Sequence, residues 1–326
     1  MENTTEQPHN LVLYDWISLT SKIHTHEDMT RLIGLPDVNW EETKGAHGYK
    51  KRLYFQGISI HYDGAENQGV WLEMSGQGCR TFESYAVTTY ETLFSVVARN
   101  SQEMHFTRID VAFDDHTGIL PLDEICRDTR NGEYLSKSNA WEVTESWKGQ
   151  TVYIGSPTSD VRIRIYDKAR ERNCDPGTHW VRVELQLRDD RARVFTSYDM
   201  PLGKTFAGVL VNYLRYVIPE ADDTNRSRWL SKPYWDNLIQ DACRLSVYEA
   251  VGVDYNLDRL RDNVCYRNGN AIATYIECVG FGQFIEDLHN DKPKTVNPKY
   301  TRLIDELELA RKKRIETTLS TNKAGG

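Results

Sequence analysis

HFTRIDVAFDD, residues 105–115, puts Thr107, Ile109, Val111 and Phe113 on one side of an extended chain and Arg108, Asp110 and Asp114 on the other. Successive side chains of a β-strand point to opposite faces, so this alternation predicts a strand with one apolar and one charged face. VRIRIYDK (161–168), WVRVELQLR (180–188) and GVWLEMSG (69–76) divide in the same way. Their apolar sets are Val161, Ile163 and Ile165; Val181, Val183, Leu185 and Leu187; and Val70, Leu72 and Met74. Opposite them stand Arg162, Arg164 and Tyr166; Arg182, Glu184, Gln186 and Arg188; and Trp71, Glu73 and Ser75. Four strands of one design predict a sheet that buries one face and displays a charged one.

Working outward, KRLYFQGISIHY (51–62), TVYIG (151–155) and LVLYDWISLTSKI (11–23) also have strand texture, bounded by turn-forming residues. Residues 27–34 predict a short helix. The stretches 81–100, with a cap at Thr88 or Thr89, and 120–136 predict longer ones. After Pro201 the period changes: Phe206, Val209, Leu210, Tyr213, Leu214 and Val217 recur at helical spacing. Further helices are expected over 235–245, 256–268, 270–278, 280–290 and 298–319. The fold class is therefore α+β, an antiparallel sheet with flanking helices followed by a mostly helical C-terminal region. The polar stretch DDTNRSRWLSKP (222–233) is the expected linker, dividing the chain into 1–221 and 222–326. No internal repeat is apparent in the sequence.

Composition sets the outer limits. A chain of 326 residues with 39% hydrophobic and 27% charged residues suits about two soluble domains. No window reaches the roughly 18 apolar residues of a membrane span, and MENTTEQPHN lacks the pattern of a signal peptide, so an intracellular protein without membrane contact is expected. Six cysteines form no CxxC pair, which argues for reduced thiols rather than disulfides or a structural zinc. A net charge of −8 argues against coating nucleic acid by bulk positive charge. The acid surplus is local: residues 1–150 carry 13 basic and 23 acidic side chains, a balance of −10. DNA binding would then depend on basic groups gathered on chosen faces.

The charged face gathers Glu73, Asp110, Glu184, several arginines and Tyr166 if the strands lie in one sheet. A solvated outer face is one reading, since many antiparallel sheets end that way. The alternative starts from two features: the face lacks the usual mixture of Lys, Thr and Ser, and it repeats basic-x-acidic at Arg108-Ile109-Asp110 and Arg182-Val183-Glu184. Carboxylates converging from separate strands hold hard divalent cations through oxygen. A tyrosine and arginines beside them suit phosphoryl transfer, which needs a placed attacking oxygen and neutralised phosphate oxygens.

DWISLT (15–20), WLEMSGQGCRTFE (71–83), TRIDVAFDD (107–115), TVYIGSPTSDVRIRIYDKARE (151–171) and WVRVELQLRDDRA (180–192) occur in that order. Together they resemble the replication initiation factors of plasmids and phages, the Rep_trans-type rolling-circle initiators, over about residues 11–220. The resemblance implies a metal-dependent DNA nicking-joining enzyme of the bacterial cytoplasm. Its tyrosine attacks origin DNA that is single-stranded or extruded as a hairpin, becomes joined to the 5′ phosphate, and leaves a 3′ hydroxyl to prime rolling-circle replication. Carried to this chain, the nucleophile is Tyr166, and Lys168 or Arg164 stabilises the transition state. Asp110 and Glu184 are the metal ligands, with Glu73 a third candidate, for Mg²⁺ or Mn²⁺. Origin DNA, a host superfamily-1 helicase with the replication machinery, and a possible homodimer are the implied partners. A relaxase-like nickase serving conjugative transfer or integration is the alternative enzyme, and a non-catalytic origin-binding regulator is the alternative from another class.

The chain departs from the His-hydrophobe-His metal motif of many rolling-circle nucleases. It has His24-Thr25-His26, which reads as a surface loop, while His61 and His105 are spare candidates for the metal. Tyr153 competes locally with Tyr166 but reads as a packing residue. Asp114 and Asp115 read as the start of a turn, and the GQG at 76–78 as a turn, a bulge or a phosphate-approaching loop. In the C-terminal region, residues 256–290 suit either a helix-turn-helix with Arg259, Arg261 and Arg267 on phosphates or a packed bundle. The basic run Arg311–Arg314 reads as a charged helix end.

Overall fold

The computed structural model describes residues 9–147, 149–245 and 269–291. The chain forms two compact units, one up to Ala250 and one from Val251. The first is built on a single ten-stranded, wholly antiparallel sheet in the order β2-β3-β4-β5-β1-β6-β11-β10-β9-β8. Its N-terminal strands are β1 (Leu11–Ser21), β2 (Glu41–Lys44), β3 (Lys51–Phe55), β4 (Ile58–Tyr62) and β5 (Val70–Met74). Its C-terminal strands are β6 (Met104–Asp115), β8 (Trp141–Ser146), β9 (Gly149–Ile154), β10 (Val161–Asp167) and β11 (Val181–Arg188). A small separate ladder joins β7 (Tyr134–Ser136) to β12 (Leu214–Tyr216).

One face of the large sheet is apolar, as the alternation predicts. Ile17, Leu72, Ile109, Val111, Ile163 and Leu185 are all buried there. Phe82 of α2 (Gly76–Tyr85), Leu93 of α3 (Tyr90–Arg99), Ile125 of α4 (Leu122–Arg130), Phe206 of α7 (Leu202–Tyr213) and Leu238 of α8 (Pro233–Leu245) join them in one core. Each such side chain contributes roughly 1.5–3 kcal/mol of burial free energy, which fixes the register because a one-residue slip would turn the whole set to water.

The two halves of the sheet repeat one another, although the sequence shows no repeat. In each, a long central strand leads through a helix, α1 (His26–Leu32) or α4, to an outer strand, and the chain then returns strand by strand to the centre. A pseudo-twofold axis through the pair Trp16↔Asp110 carries Ser18 onto Ala112. Glu73, opposite Ser18, then falls on Glu184, opposite Ala112. Outward along the same row, Ser59 falls on Arg164, His61 on Tyr166 and Tyr54 on Tyr153. The outer strands, with WEET (40–43) and WEVT (141–144), keep the same register.

Several helical expectations change. The stretch 81–100 is two helices: α2 begins earlier, at Gly76, and Thr89 caps α3 after a break at 86–89. The 120–136 stretch is helical only to Arg130 and ends in β7, while the helix after Pro201 stops at Tyr213 and passes into β12. The GQG glycines belong to α2, with the Ser75 side chain accepting the Gly78 N–H. A Cβ on Gly78 would come within 2.3 Å of the Gly57 carbonyl oxygen, so glycine is required there for helix-to-hairpin packing.

The stretch 222–233 separates no compact units. Lys232 pairs with Asp128 at 3.0 Å and Glu133 at 2.7 Å, and the Tyr234 hydroxyl donates to Asp128 at 3.0 Å, tying α8 to the first unit. In the second unit, α9 (Gly269–Val279) and α10 (Phe281–Asp291) occupy two of the predicted helical segments. The other two, 256–268 and 298–319, with Arg259, Arg261, Arg267 and the basic run, lie outside the described residues. Among the described residues Cys79, Cys126, Cys174 and Cys278 are free thiols, and no helix is long and apolar enough to cross a membrane.

Candidate active site

Three adjacent strands, β6, β11 and β10, bring the charged alternation to one point. Asp110 lies opposite Gln186, Glu184 lies between Ala112 and Arg164, and Tyr166 lies opposite Arg182. Directly paired residues share a face, so these side chains meet on the polar side. Asp110, Glu184, Arg164 and Tyr166 line a cleft of about 340 Å³ with Asp15, Lys168 and Arg108.

Tyr166 is buried, but among charges rather than in the apolar core. Its hydroxyl donates to Glu184 Oε2 at 3.3 Å and accepts from Lys168 Nζ at 3.3 Å. The Arg164 guanidinium lies 4.7 Å from the ring centroid, and its Nη1 is 3.1 Å from Glu184 Oε1. Lys168, buried at the start of α5 (Lys168–Glu171), also pairs with Glu171. Burial, followed by the charge of Glu184, pushes the Tyr166 hydroxyl well above the ordinary phenol range, against the opposing pull of Arg182 and Arg164. The phenol is therefore held protonated until charge arrives to offset Glu184.

The carboxylates are framed by arginines. Arg108 clasps Asp110 through two bonds of 2.8 and 2.5 Å and lies 4.6 Å over the Trp16 ring. Arg182 clasps Asp114 at 2.6 and 2.7 Å and reaches Asp15 at 2.8 Å. Burial pushes the Asp110 carboxyl above the ordinary carboxylate range, with Glu184 and Asp15 adding to the rise and Arg108 opposing it.

Asp110, Glu184, Arg164, Lys168 and Tyr166 are thus brought together. Glu73 is not: four inter-strand steps from β5 to β10, at about 4.8 Å each, put it roughly 19 Å from Tyr166. Its VWLEM resembles VRVEL because the two segments are pseudo-symmetric counterparts. Asp15 is the cleft acid that alternation misses. It sits where the β1–β6 register shifts between Tyr14 and Trp16, and a bulge breaks the period-2 rule.

The remaining candidates have structural partners. Asp115 accepts from the backbone N–H groups of Thr117, Gly118 and Leu120 and pairs with His179, so it does cap a turn, whereas Asp114 is a buried partner of Arg182. His24 bonds Ser21, Thr25 caps α1 and His26 stacks on Tyr62 at 3.9 Å. His61 is buried and accepts the Ala46 N–H, His105 is exposed, and Tyr153 lies beneath Arg162 at 4.3 Å.

Among the described residues no three His, Cys, Asp or Glu side chains form a ready metal cluster. Asp110 and Glu184 are oxygen donors of the kind that hold Mg²⁺ together with water and substrate phosphate, and in this structure Arg108 engages both Asp110 oxygens while Arg164 and Tyr166 engage those of Glu184.

A buried tyrosine among carboxylates and cations, on an antiparallel sheet, defines a class of candidate phosphoryl-transfer proteins, and the comparisons with known proteins narrow it. The family model for the replication initiation factor matches residues 104–261, and the model for the rolling circle replication initiation protein N-terminal domain matches residues 11–99. The chain is 31% identical to a rolling circle replication initiator protein from Geobacillus stearothermophilus, with a TM-score of 0.65, covering 72% of this chain and 97% of that one. It is also 29% identical over 262 residues to NicK of Bacillus subtilis (strain 168), which carries the description of a DNA relaxase, covering 72% of each. The chain belongs to the family of rolling-circle replication initiators.

Proposed function

We propose that this protein nicks and rejoins origin DNA through Tyr166 and so starts rolling-circle replication of a phage or plasmid. The observation that carries the reading is the Tyr166 hydroxyl held between a proton acceptor, Glu184, and a cation, Lys168. As the Tyr166 oxygen attacks the scissile phosphorus, Glu184 Oε2 takes its proton. The P–O3′ bond breaks, the departing 3′ oxygen takes a proton from water, and a 5′-phosphotyrosine ester remains. Lys168 and Arg164 offset the negative charge that develops on the phenolic and phosphate oxygens. Because the new bond is itself a phosphodiester, a 3′ hydroxyl attacking it restores the strand without ATP.

Asp110 and Glu184 would hold the divalent ion, Mg²⁺ or Mn²⁺, which supplies Lewis-acid neutralisation of a phosphate oxygen when bound. A host superfamily-1 helicase and a second copy of this chain are the partners the proposal adds. The similarity to NicK favours one further reading, in which the same chemistry serves as a relaxase for DNA transfer.

The test incubates the protein with pooled single-stranded DNA and Mg²⁺ or Mn²⁺, followed by denaturing electrophoresis. The expected result is a covalent protein–DNA band that disappears with chelator and with Tyr166→Phe. A band that persists in Tyr166→Phe removes the assignment.

A further inference from the structure

The pseudo-twofold axis gives the N-terminal half a copy of the active-site scaffold without its chemistry. Where the C-terminal half has Arg164 and Tyr166, this half has Ser59 and His61, and the chain at 46–49 closes over His61. What survives on the polar face is a set of rings and guanidiniums.

Arg52 lies 5.1 Å over the Tyr54 ring, Arg108 lies 4.6 Å over Trp16, and Trp71 stacks on His61 at 4.8 Å with planes 23° apart. Cross-strand pairing puts them on one face: Trp71 opposite His61, His61 opposite Arg52, Tyr54 opposite Ser59, Ser59 opposite Glu73, and Trp16 opposite Asp110. Trp16, Arg52, Tyr54, Trp71 and Arg108 all remain partly exposed. Burying an aromatic ring is ordinarily favourable, so three rings left partly open on one face, two of them beneath arginines, form a surface suited to another flat ring. Glu41, Glu73 and Asp110 are the acids near them, Asp110 being paired with Arg108. The face is continuous with the cleft, because Arg108 both covers Trp16 and clasps Asp110.

We infer that Arg52, Tyr54, Trp71, Trp16 and Arg108 form a stacking platform for single-stranded DNA leading to Tyr166, an inference that rests on DNA being the substrate. Bases stack on partly open rings only when unpaired, and arginines beside the rings take the phosphates between them. From β3 to β10 is six inter-strand steps, roughly 29 Å at about 4.8 Å each, so the platform would hold a flank of several nucleotides.

The experiment measures binding of fluorescein-labelled dT30, and of a 30-base-pair duplex, to the full chain by anisotropy. Trp71→Ala and Tyr54→Ala should each weaken dT30 binding by about 5–140-fold, the effect of losing one stacked base, and Trp71→Phe should restore most of it. In the unmutated protein, a dT30 strand carrying 5-iododeoxyuridine should photo-crosslink to peptides containing Tyr54, Trp71 or Trp16. This second readout does not depend on how well the variants fold. Wild-type dT30 affinity in Trp71→Ala, or crosslinks confined to β9–β11, would overturn the platform while leaving DNA as the substrate. Tighter binding to duplex than to dT30, with the same loss in Trp71→Ala, would overturn the single-strand assignment. Failure of the unmutated chain to bind either DNA would remove the functional reading itself.

Discussion

Arg182→Met should destabilise the first unit far more than the loss of one ion pair at a surface would. The Arg182 and Asp114 side chains are 4% and 3% exposed and joined by two bonds of 2.6 and 2.7 Å, so removing the guanidinium strands a carboxylate away from water. Breaking a buried pair costs about 3–5 kcal/mol, whereas exposed pairs are worth about 0–1 kcal/mol. For a unit of this size that corresponds to a fall in Tm of about 6–20 °C. Asp15, the other partner of Arg182, is 21% exposed and keeps access to solvent, so it adds little to the penalty. The double variant Arg182→Met/Asp114→Leu should recover most of the loss, because no buried charge is left unpaired. Calorimetry of the four members of this cycle measures it. A fall of less than about 2 °C in the single variant, or no recovery in the double, would refute the claim that a buried charge frame holds the strands bearing Tyr166.

Three further outcomes follow from the same geometry. Gly78→Ala should cost about 1–3 kcal/mol in denaturant unfolding, since its Cβ would meet the Gly57 carbonyl oxygen at 2.3 Å, a contact with a backbone atom that no side-chain rotation can relieve. Burial, with Arg52 and His47 nearby, lowers His61 to about 4, while an unfolded histidine titrates near ~6.5. The unfolded chain therefore binds the proton first, so stability is complete above about 6.5 and declines as pH falls towards 4; His61→Asn should flatten this limb in a pH series of urea melts. Glu184→Gln should reduce adduct formation by about 10²–10⁴-fold, as expected for loss of a proton acceptor, and Glu73→Gln should have a far smaller effect; a comparable loss in both would contradict the separation of the two acids.

Much of the sheet was legible because its alternation is driven by burial. Ile109, Val111, Ile163 and Leu185 had to be turned inward, so Asp110, Arg164, Tyr166 and Glu184 had to share the other face. Strand order was not legible, and that is why Glu73 looked equivalent to Glu184: the two have the same local pattern and are counterparts across the pseudo-twofold axis. That repeat is one of register and topology more than of residues: Glu73 and Glu184, and Tyr54 and Tyr153, match across it, whereas His61 and Tyr166 do not. Asp15 escaped because a bulge reverses the parity of the strand at that point. The helix-to-strand transitions at Tyr213 and Arg130 escaped because β12 and β7 are three-residue segments whose pairing partners are remote in sequence. The outer strands β2 and β8 are short and mostly exposed, so they carry little burial pattern to read.

The Tyr166 hydroxyl, between Glu184 and Lys168, is the group proposed to join to DNA. Protease digestion of the adduct, followed by mass spectrometry of the nucleotide-bearing peptide, tests it most directly. The expected product is a 5′-phosphonucleotide on Tyr166 in the peptide spanning 165–168. A nucleotide carried by Tyr153 or any other residue would contradict it.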